Sequence, residues 1–324
     1  MSRAQQGSSL PKNSTTVRTG KERAWVLDGL RMGFRILNKT APDLASVAAE
    51  RLFRSPRRHR RPAWEREVLA SGSRLRLPWG ASSLPAWSWG EGPTVLLVHG
   101  WEGRGSQLGT FVDPLVDMGM RVVTFDAPGH GDATVERGTV VEMAGAIRAA
   151  LGEVGPVEAI VAHSVGCVAT TYALSRSPEV SPRVAFIAPP VSPLRFTKAF
   201  SSMLGIDEGV RQRMVARLEG RYGVPLAELD ATTLAPRMTA PLLVVHDRDD
   251  HEVSFEAGAA LADLWRGARL METRGLGHRR VLRSPLVIQE VTQFVASEPR
   301  SLRTGLGAFG LERELYDRDR RRAA

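Results

Sequence analysis

From residue 94 onward the chain alternates short apolar runs with amphipathic helical stretches, and this alternation restricts its fold more than any other feature. Thr94–Val98 (TVLLV) is a continuous apolar run entering a polar, glycine-containing loop, as a strand buried on both faces reads. The same grammar returns at Arg121–Phe125, Val157–Ala162, Arg183–Ile187 and Leu242–His246, with a last strand near Ala268–Met271. Helical patterns fall between them at 106–118, 137–152, 165–176 and 254–265, and a final one covers 285–297. Two short amphipathic strands, at 67–78 and 85–89, precede the series. Strands separated by helices require crossover connections, so the pattern predicts an α/β fold: a mostly parallel eight-stranded sheet with helices on both faces.

The alternation stops between Pro189 and Pro241. That insertion, at about 190–240, carries two helical patterns (Leu194–Leu204 and Glu208–Tyr222) and has the position of a helical lid. Ahead of the sheet, residues 22–66 read as a basic helical arm. Leu27, Leu30, Phe34 and Leu37 recur at helical spacing, Ala41-Pro42 breaks the run with Asp43 as a cap, and Leu44, Val47, Ala48 and Leu52 line one face of a second helix. Residues 1–21, poor in apolar side chains, are expected to be disordered, 67–299 to form the sheet domain, and 300–324 a charged tail.

The formal charge of +9 is unevenly distributed. Residues 1–66 hold 15 basic and 5 acidic side chains, residues 67–299 hold 22 and 26, and residues 300–324 hold 7 and 4. Basicity therefore belongs to the ends, and bears on what they touch rather than on what the middle does. The arm could meet an anionic membrane surface or a polyanion. Without aromatic interleaving or a nucleic-acid module, docking on the chain's own domain or on a second subunit is the preferred reading, and no nucleic acid is expected. One cysteine, Cys167, excludes an internal disulfide, and no secretory apolar run opens the sequence. No stretch reaches the roughly 20 apolar residues of a membrane span. A reducing cytoplasm is the simplest setting.

The chemistry concentrates at four places. Ala159–Ala169 (AIVAHSVGCVA) runs from an apolar strand through a short turn into a helix of small residues, with Ser164 on the turn. A serine there is either lifted above the sheet, with the following N–H aimed at whatever it attacks, or a simple helix cap. The loop after Val98 (HGWEGRG) can present the Trp101 N–H as a second donor to a developing oxyanion. Val244–Val253 (VVHDRDDHEV) puts carboxylates just beyond a strand, and Gly275–His278 (GLGH) places a histidine on a glycine-flanked loop after the last strand.

With LLVHGW, the FDAPGHGDA of Phe125–Ala133, LLVVHDRDDHEV and GLGH in this order, the chain resembles the α/β-hydrolase superfamily from about Trp87 to Ala296. The resemblance implies an esterase-like or lipase-like serine hydrolase with Ser164 as nucleophile and His278 as general base. The backbone N–H groups of Val165 and Trp101 would form the oxyanion hole. Asp250, three residues before Val253, aligns best as the triad acid, with Asp249 and Asp247 as alternatives. A serine nucleophile removes the branches that need a carboxylate, and leaves ester, thioester, amide and carbon–carbon bond hydrolases. A non-catalytic binding module on the same fold is the remaining alternative.

The other candidates read as structural. His99, His130 and His163 sit beside turns where histidine packs or bonds to backbone, and Cys167 faces the sheet as a small core residue. His246 and His251 flank the aspartates, but adjacent residues on a short loop cannot converge on one ion, so no metal is expected. No nucleotide fingerprint is present, so no cofactor is expected and the partner is a small-molecule substrate. Phe196, Phe200, Met203, Leu204 and Met214 of the insertion either line an apolar pocket or pack the lid itself. Its Arg195, Lys198, Arg211, Arg213 and Arg217 read as a solvated face.

Overall fold

The computed structural model describes residues 18–297, so the expected disorder of 1–17 and the tail at 300–324 lie outside the described residues. The chain divides into two compact units, one made of the residues up to Phe53 together with Leu194–Val224, the other of Arg54–Pro193 and the residues from Pro225 on. The arm therefore splits at Phe53 rather than ending at residue 66.

The first unit begins with α1 (Arg18–Thr40), which starts inside the stretch expected to be disordered. Elongating a helix adds one hydrogen bond per residue fixed, and no proline lies between Arg18 and Glu22. Ala41 forms the joint to α2 (Pro42–Phe53), with Pro42 at the first helical position, where its missing N–H costs nothing. Asp43 lies within the first turn and is not the cap; its carboxylate accepts from Arg213 at 2.6 Å. The buried face of α2 is not its leucine face either. Ala45, Ser46, Ala49 and Glu50 are buried, while Leu44, Val47 and Leu52 are exposed. Small residues allow close approach to the insertion helix, and Glu50 answers Arg221 at 2.8 Å and Arg217 at 3.5 Å.

The sheet unit supplies α3 (Ala63–Ser71), β1 (Ser73–Trp79), β2 (Ser82–Trp89), β3 (Thr94–Val98), α4 (Val112–Asp117), β4 (Arg121–Phe125), α5 (Val140–Glu153), β5 (Val157–His163), α6 (Val165–Ser175) and β6 (Arg183–Ile187). The insertion then gives α7 (Pro193–Leu204) and α8 (Glu208–Tyr222) to the first unit. Asp207 caps α8 by accepting from the Val210 N–H at 2.8 Å. Leu204, Val210, Met214 and Leu218 are buried, and Phe200 meets Phe53 edge to face at 5.3 Å. These apolar side chains pack their own unit. With Arg211 bonded to Glu208 and Thr197, and Arg213 and Arg217 paired with α2 acids, the basic face is not simply solvated.

The sheet unit resumes with α9 (Ala231–Leu234), β7 (Leu242–Asp247), α10 (Phe255–Leu264), β8 (Arg269–Thr273), α11 (Gly277–Arg280) and α12 (Pro285–Ala296). Its strand order is β1-β2-β4-β3-β5-β6-β7-β8, antiparallel at β1/β2 and β2/β4 and parallel from β4 to β8. Alternation sends Leu96, Val98, Ile160, Ala162, Val184 and Phe186 to one face, under α5, α6 and α10. It sends Val95, Leu97, Ala159, Val161, Ala185 and Ile187 to the other, under α4 and α12. The stretch expected to begin a strand at 67 is instead helical. Trp64 and Val68 lie one turn apart on one helix face, and Glu65 lies in the first turn. Among the described residues no helix is long and apolar enough to cross a membrane.

The arginine-rich Arg54–Arg61 belongs to this unit and forms a strap across the loops after β3 and β4. Arg54 O accepts from the Gly138 N–H, Arg58 donates to the carbonyls of Gly129, Ala133 and Val135, and Arg57 grips both Glu102 oxygens at 2.7 and 2.8 Å. Arg61 pairs with Asp126 and Asp132, each at 2.5 Å. Behind them Glu65 takes both arms of the Arg104 guanidinium at 2.5 and 2.6 Å and the Ser106 hydroxyl at 2.6 Å, all buried. Replacing Glu65 by Ala strands a buried guanidinium, and should cost about 3–5 kcal/mol in guanidinium or urea unfolding. A loss below about 1 kcal/mol would contradict this account of the pair.

Candidate active site

Ser164 stands where β5 turns into α6, with φ 53° and ψ −128°, a left-handed conformation that a serine adopts only when its surroundings impose it. Its own N–H donates to Ile187 O at 2.9 Å, and its carbonyl accepts from the Cys167 N–H at 2.8 Å. Two glycines make room. A Cβ on Gly166 would lie 2.5 Å from the His99 carbonyl oxygen, and one on Gly100 would lie 2.9 Å from Ser164 Cβ. The strand, the helix start and the loop after β3 are thus in contact at backbone distance around this one residue.

His278, on α11, spans the gap to the aspartate cluster. Its Nε2 lies 3.0 Å from Ser164 Oγ and its Nδ1 lies 2.7 Å from Asp250 Oδ2. An ionised carboxylate only accepts, so Nδ1 carries the proton and Nε2 is left to accept from the serine hydroxyl. Asp250 Oδ1 takes the N–H groups of Glu252 at 2.8 Å and Val253 at 2.9 Å. On its other side His246 Nε2 donates to Val253 O at 3.1 Å and lies 3.5 Å from Asp250 Oδ2. Burial pushes the Asp250 carboxyl up. Hydrogen bonds from His246, His278 and the Val253 N–H outweigh it and hold the group well below the usual carboxylate range.

The three aspartates left open by the sequence have separate surroundings. Asp250 alone reaches the His278 ring. Asp247 binds the loop that carries His278, accepting from Thr273 Oγ1 at 2.7 Å and from the N–H groups of Gly277 at 2.9 Å and Leu276 at 3.1 Å. Asp249 holds the same loop through the Gly275 N–H at 2.8 Å. His163 completes the support, donating from Nε2 to His278 O at 2.9 Å with the two rings 4.7 Å apart.

On the facing side, His99 donates to Gly100 O at 2.7 Å and accepts from the Ala127 N–H at 3.0 Å, joining the loops after β3 and β4. The Gly103 N–H closes a turn onto Gly100 O at 3.0 Å, and Trp101 and Glu102 occupy its centre, Glu102 at φ 54°. The Trp101 ring meets His130 edge to face at 5.0 Å, and His130 Nδ1 lies 2.9 Å from Pro128 O. Val165 is the first residue of α6, where N–H groups have no intrahelical acceptor. Cys167 is buried with its sulfur 3.3 Å from Ala162 O, and burial pushes its thiol up, so it is no competing nucleophile. Among the described residues no group of three His, Cys, Asp or Glu side chains is placed to hold a metal.

Sequence reasoning missed the strap residues Arg57, Arg61 and Glu65, and the place of His246 behind Asp250. The strap pairs are 39 to 65 residues apart and carry no spacing signal. His246 was visible only as a histidine near acids.

A sequence model described as "Alpha/beta hydrolase family" matches residues 95–290. A serine hydrolase-like protein of Danio rerio is 39% identical over 62 residues, 19% of either chain. Its Homo sapiens counterpart is 36% identical over 63 residues, 19% of this chain and 30% of that one, so the chain spans under a third of the length of either relative. Among solved structures, a membrane phospholipase A described as a bacterial virulence factor is similar with a TM-score of 0.56 at 15% identity, over 86% of this chain and 98% of the other. The esterase EaEST from Exiguobacterium antarcticum gives 0.54 at 16%, over 68% and 99%, and the ferulic-acid-bound Est1E from Butyrivibrio proteoclasticus gives 0.54 at 15%, over 69% and 100%. At such identities these structures speak to the fold alone.

The buried histidines give the site a pH signature. Burial lowers His99 to about 4, and His130 and His163 to about 3, against about 6.5 in an unfolded chain. Between those values the unfolded chain holds more protons, so folding stability is intact above about pH 6.5 and is lost as pH falls toward 4. Three such groups set a slope of up to ~4 kcal/mol per pH unit in denaturant titrations. A stability that stays level between about pH 7.5 and 4.5 would show that these rings are not held neutral.

Proposed function

The chain belongs to the alpha/beta hydrolase family, a hydrolase by that membership, and from this premise we propose that it cleaves a small, apolar carboxylic ester through a serine-bound acyl-enzyme. The observation that carries the reading is the single imidazole of His278 bonded at once to Ser164 Oγ and to Asp250 Oδ2. In that arrangement Nε2 takes the hydroxyl proton as Oγ attacks the carbonyl carbon, and Asp250 stabilises the imidazolium that forms. The proton then passes to the leaving alcohol, and a water molecule repeats the sequence to release the acid.

The oxyanion of each tetrahedral intermediate would fall to the N–H groups of Val165 and Trp101. The reading is supported by Val165 at the helix start and by Gly100 packed on Ser164 Cβ, which puts the Trp101 turn beside the nucleophile. In the same proposal the insertion carrying α7 and α8 is the lid. Its Leu204 and Met214 are buried within their own unit, so the acyl preference is to be read from a chain-length series of p-nitrophenyl esters rather than from those side chains. Thioester and amide substrates in that series separate the ester reading from its relatives on the same triad. A single buried thiol, Cys167, suits the reducing cytoplasm in which we place the protein.

Ser164→Ala should lower kcat on an activated ester by at least about 10³-fold with little change in KM. A variant as active as the parent would remove Ser164 from the mechanism. Among the acids, Asp250→Asn should cost about 10⁴-fold in kcat, and Asp249→Asn, at a carboxylate that accepts from the Gly275 N–H rather than from His278, should stay within about tenfold of the parent. The reverse ranking would transfer the triad role to Asp249.

A further inference from the structure

The side chains of α1 divide into two faces. Phe34 is buried, and Leu27, Leu37 and Asn38 are half-buried beside it, with Asn38 Nδ2 donating to Gly205 O at 2.9 Å. The opposite arc carries Trp25, Val26, Gly29, Met32, Gly33, Ile36 and Thr40 and, among the described side chains, no charge. A helix in a water-soluble unit normally turns charged and polar residues outward. Here Trp25 is 68% exposed, Met32 and Ile36 56% each and Val26 52%, and a Cβ on Gly29 or Gly33 would meet nothing within 4 Å. Contiguous apolar surface of this kind marks a contact that the isolated unit does not make.

The edge of the arc indicates what covers it. Exposed Arg35 and Lys39 follow Met32 and Ile36 around the helix, while Asp28, the one acid on that edge among the side chains described, is 3.2 Å from Arg31. An apolar stripe with a tryptophan and a cationic margin matches the layering of an anionic bilayer surface, where apolar side chains enter the acyl boundary and long basic ones reach the headgroups. A two-fold contact between copies would set the same cationic margin against the same arc, where among the described side chains the acid on offer is Asp28, already paired with Arg31. A polyanion has no use for the stripe. Of the arginines that composition singled out, Arg54, Arg57, Arg58 and Arg61 are already engaged with Glu142, Glu102, loop carbonyls and Asp126.

We propose that α1 is a membrane-surface anchor that lays Trp25, Met32 and Ile36 into the interface of an anionic bilayer, with Arg35 and Lys39 on its phosphates. The test is co-sedimentation of the full chain with vesicles of phosphatidylcholine alone or with about one third phosphatidylglycerol, at low and moderate salt. The chain should pellet with the anionic vesicles, less so as salt rises. Trp25→Ser with Ile36→Ser should weaken partitioning at least about tenfold on both vesicle types. Arg35→Gln and Lys39→Gln should each weaken it about fivefold, on anionic vesicles alone. Hydrolysis of a water-soluble ester without vesicles should be unchanged in every variant, which also reports folding. The proposal is overturned if the parent chain stays in the supernatant with both vesicle types at low salt, or if the apolar double variant pellets like the parent. It is equally overturned if analytical ultracentrifugation shows a dimer that Trp25→Ser dissolves while no vesicle binding occurs.

Discussion

Everything about the site depends on one residue held against its conformational preference. At φ 53° Ser164 gives up roughly 1–3 kcal/mol relative to an ordinary conformation, and the surrounding structure has to supply it. The supply is visible: a parallel strand buried at all but Glu158 on one side, a helix of small residues on the other, and backbone bonds to Ile187 and Cys167 at the turn. Gly166 and Gly100 are required because their Cβ atoms would occupy space already taken by His99 O and Ser164 Cβ. The result is a hydroxyl fixed above the sheet with the loops after β3, β7 and β8 brought to it.

Around that hydroxyl the polar groups divide their tasks. His278 faces Ser164, Asp250 faces His278, and Asp247, Asp249 and His163 hold the loop on which His278 rides. The strap does the same for the opposite wall, since Arg57 grips Glu102 next to Trp101 and Glu65 anchors Arg104 two residues further on. Burial keeps His99, His130 and His163 neutral, which lets them act as hydrogen-bonding struts, and in the case of His163 without adding positive charge beside His278.

Much of this was legible before any coordinates. Thr94–Val98, Arg121–Phe125 and Arg183–Ile187 match the observed strands residue for residue, because a strand buried on both faces reads as a short, predominantly apolar run. The order of serine, aspartate and histidine segments was equally plain. Choosing among Asp247, Asp249 and Asp250 was not, because that choice rests on which way a tight turn aims each carboxylate. Residues 67–71 read as the start of a strand yet close the helix Ala63–Ser71, because so short a stretch with Val68 and Leu69 fits either period. For α2 the leucine stripe suggested the packing face, yet Ala45 and Ala49 pack and the leucines are exposed, a preference for close helix approach that hydrophobicity alone does not encode. The strap left no pattern, only a count of arginines.

The central claim is that Ser164 is activated by His278 and Asp250, and the direct measurement is covalent labelling with a fluorophosphonate, followed by intact-mass and peptide mass spectrometry. An activated serine requires a single adduct on Ser164 that forms in the folded chain, is abolished by prior denaturation and slows sharply in His278→Ala. An adduct elsewhere, no adduct at all, or labelling of Ser164 at the same rate in His278→Ala would contradict the account.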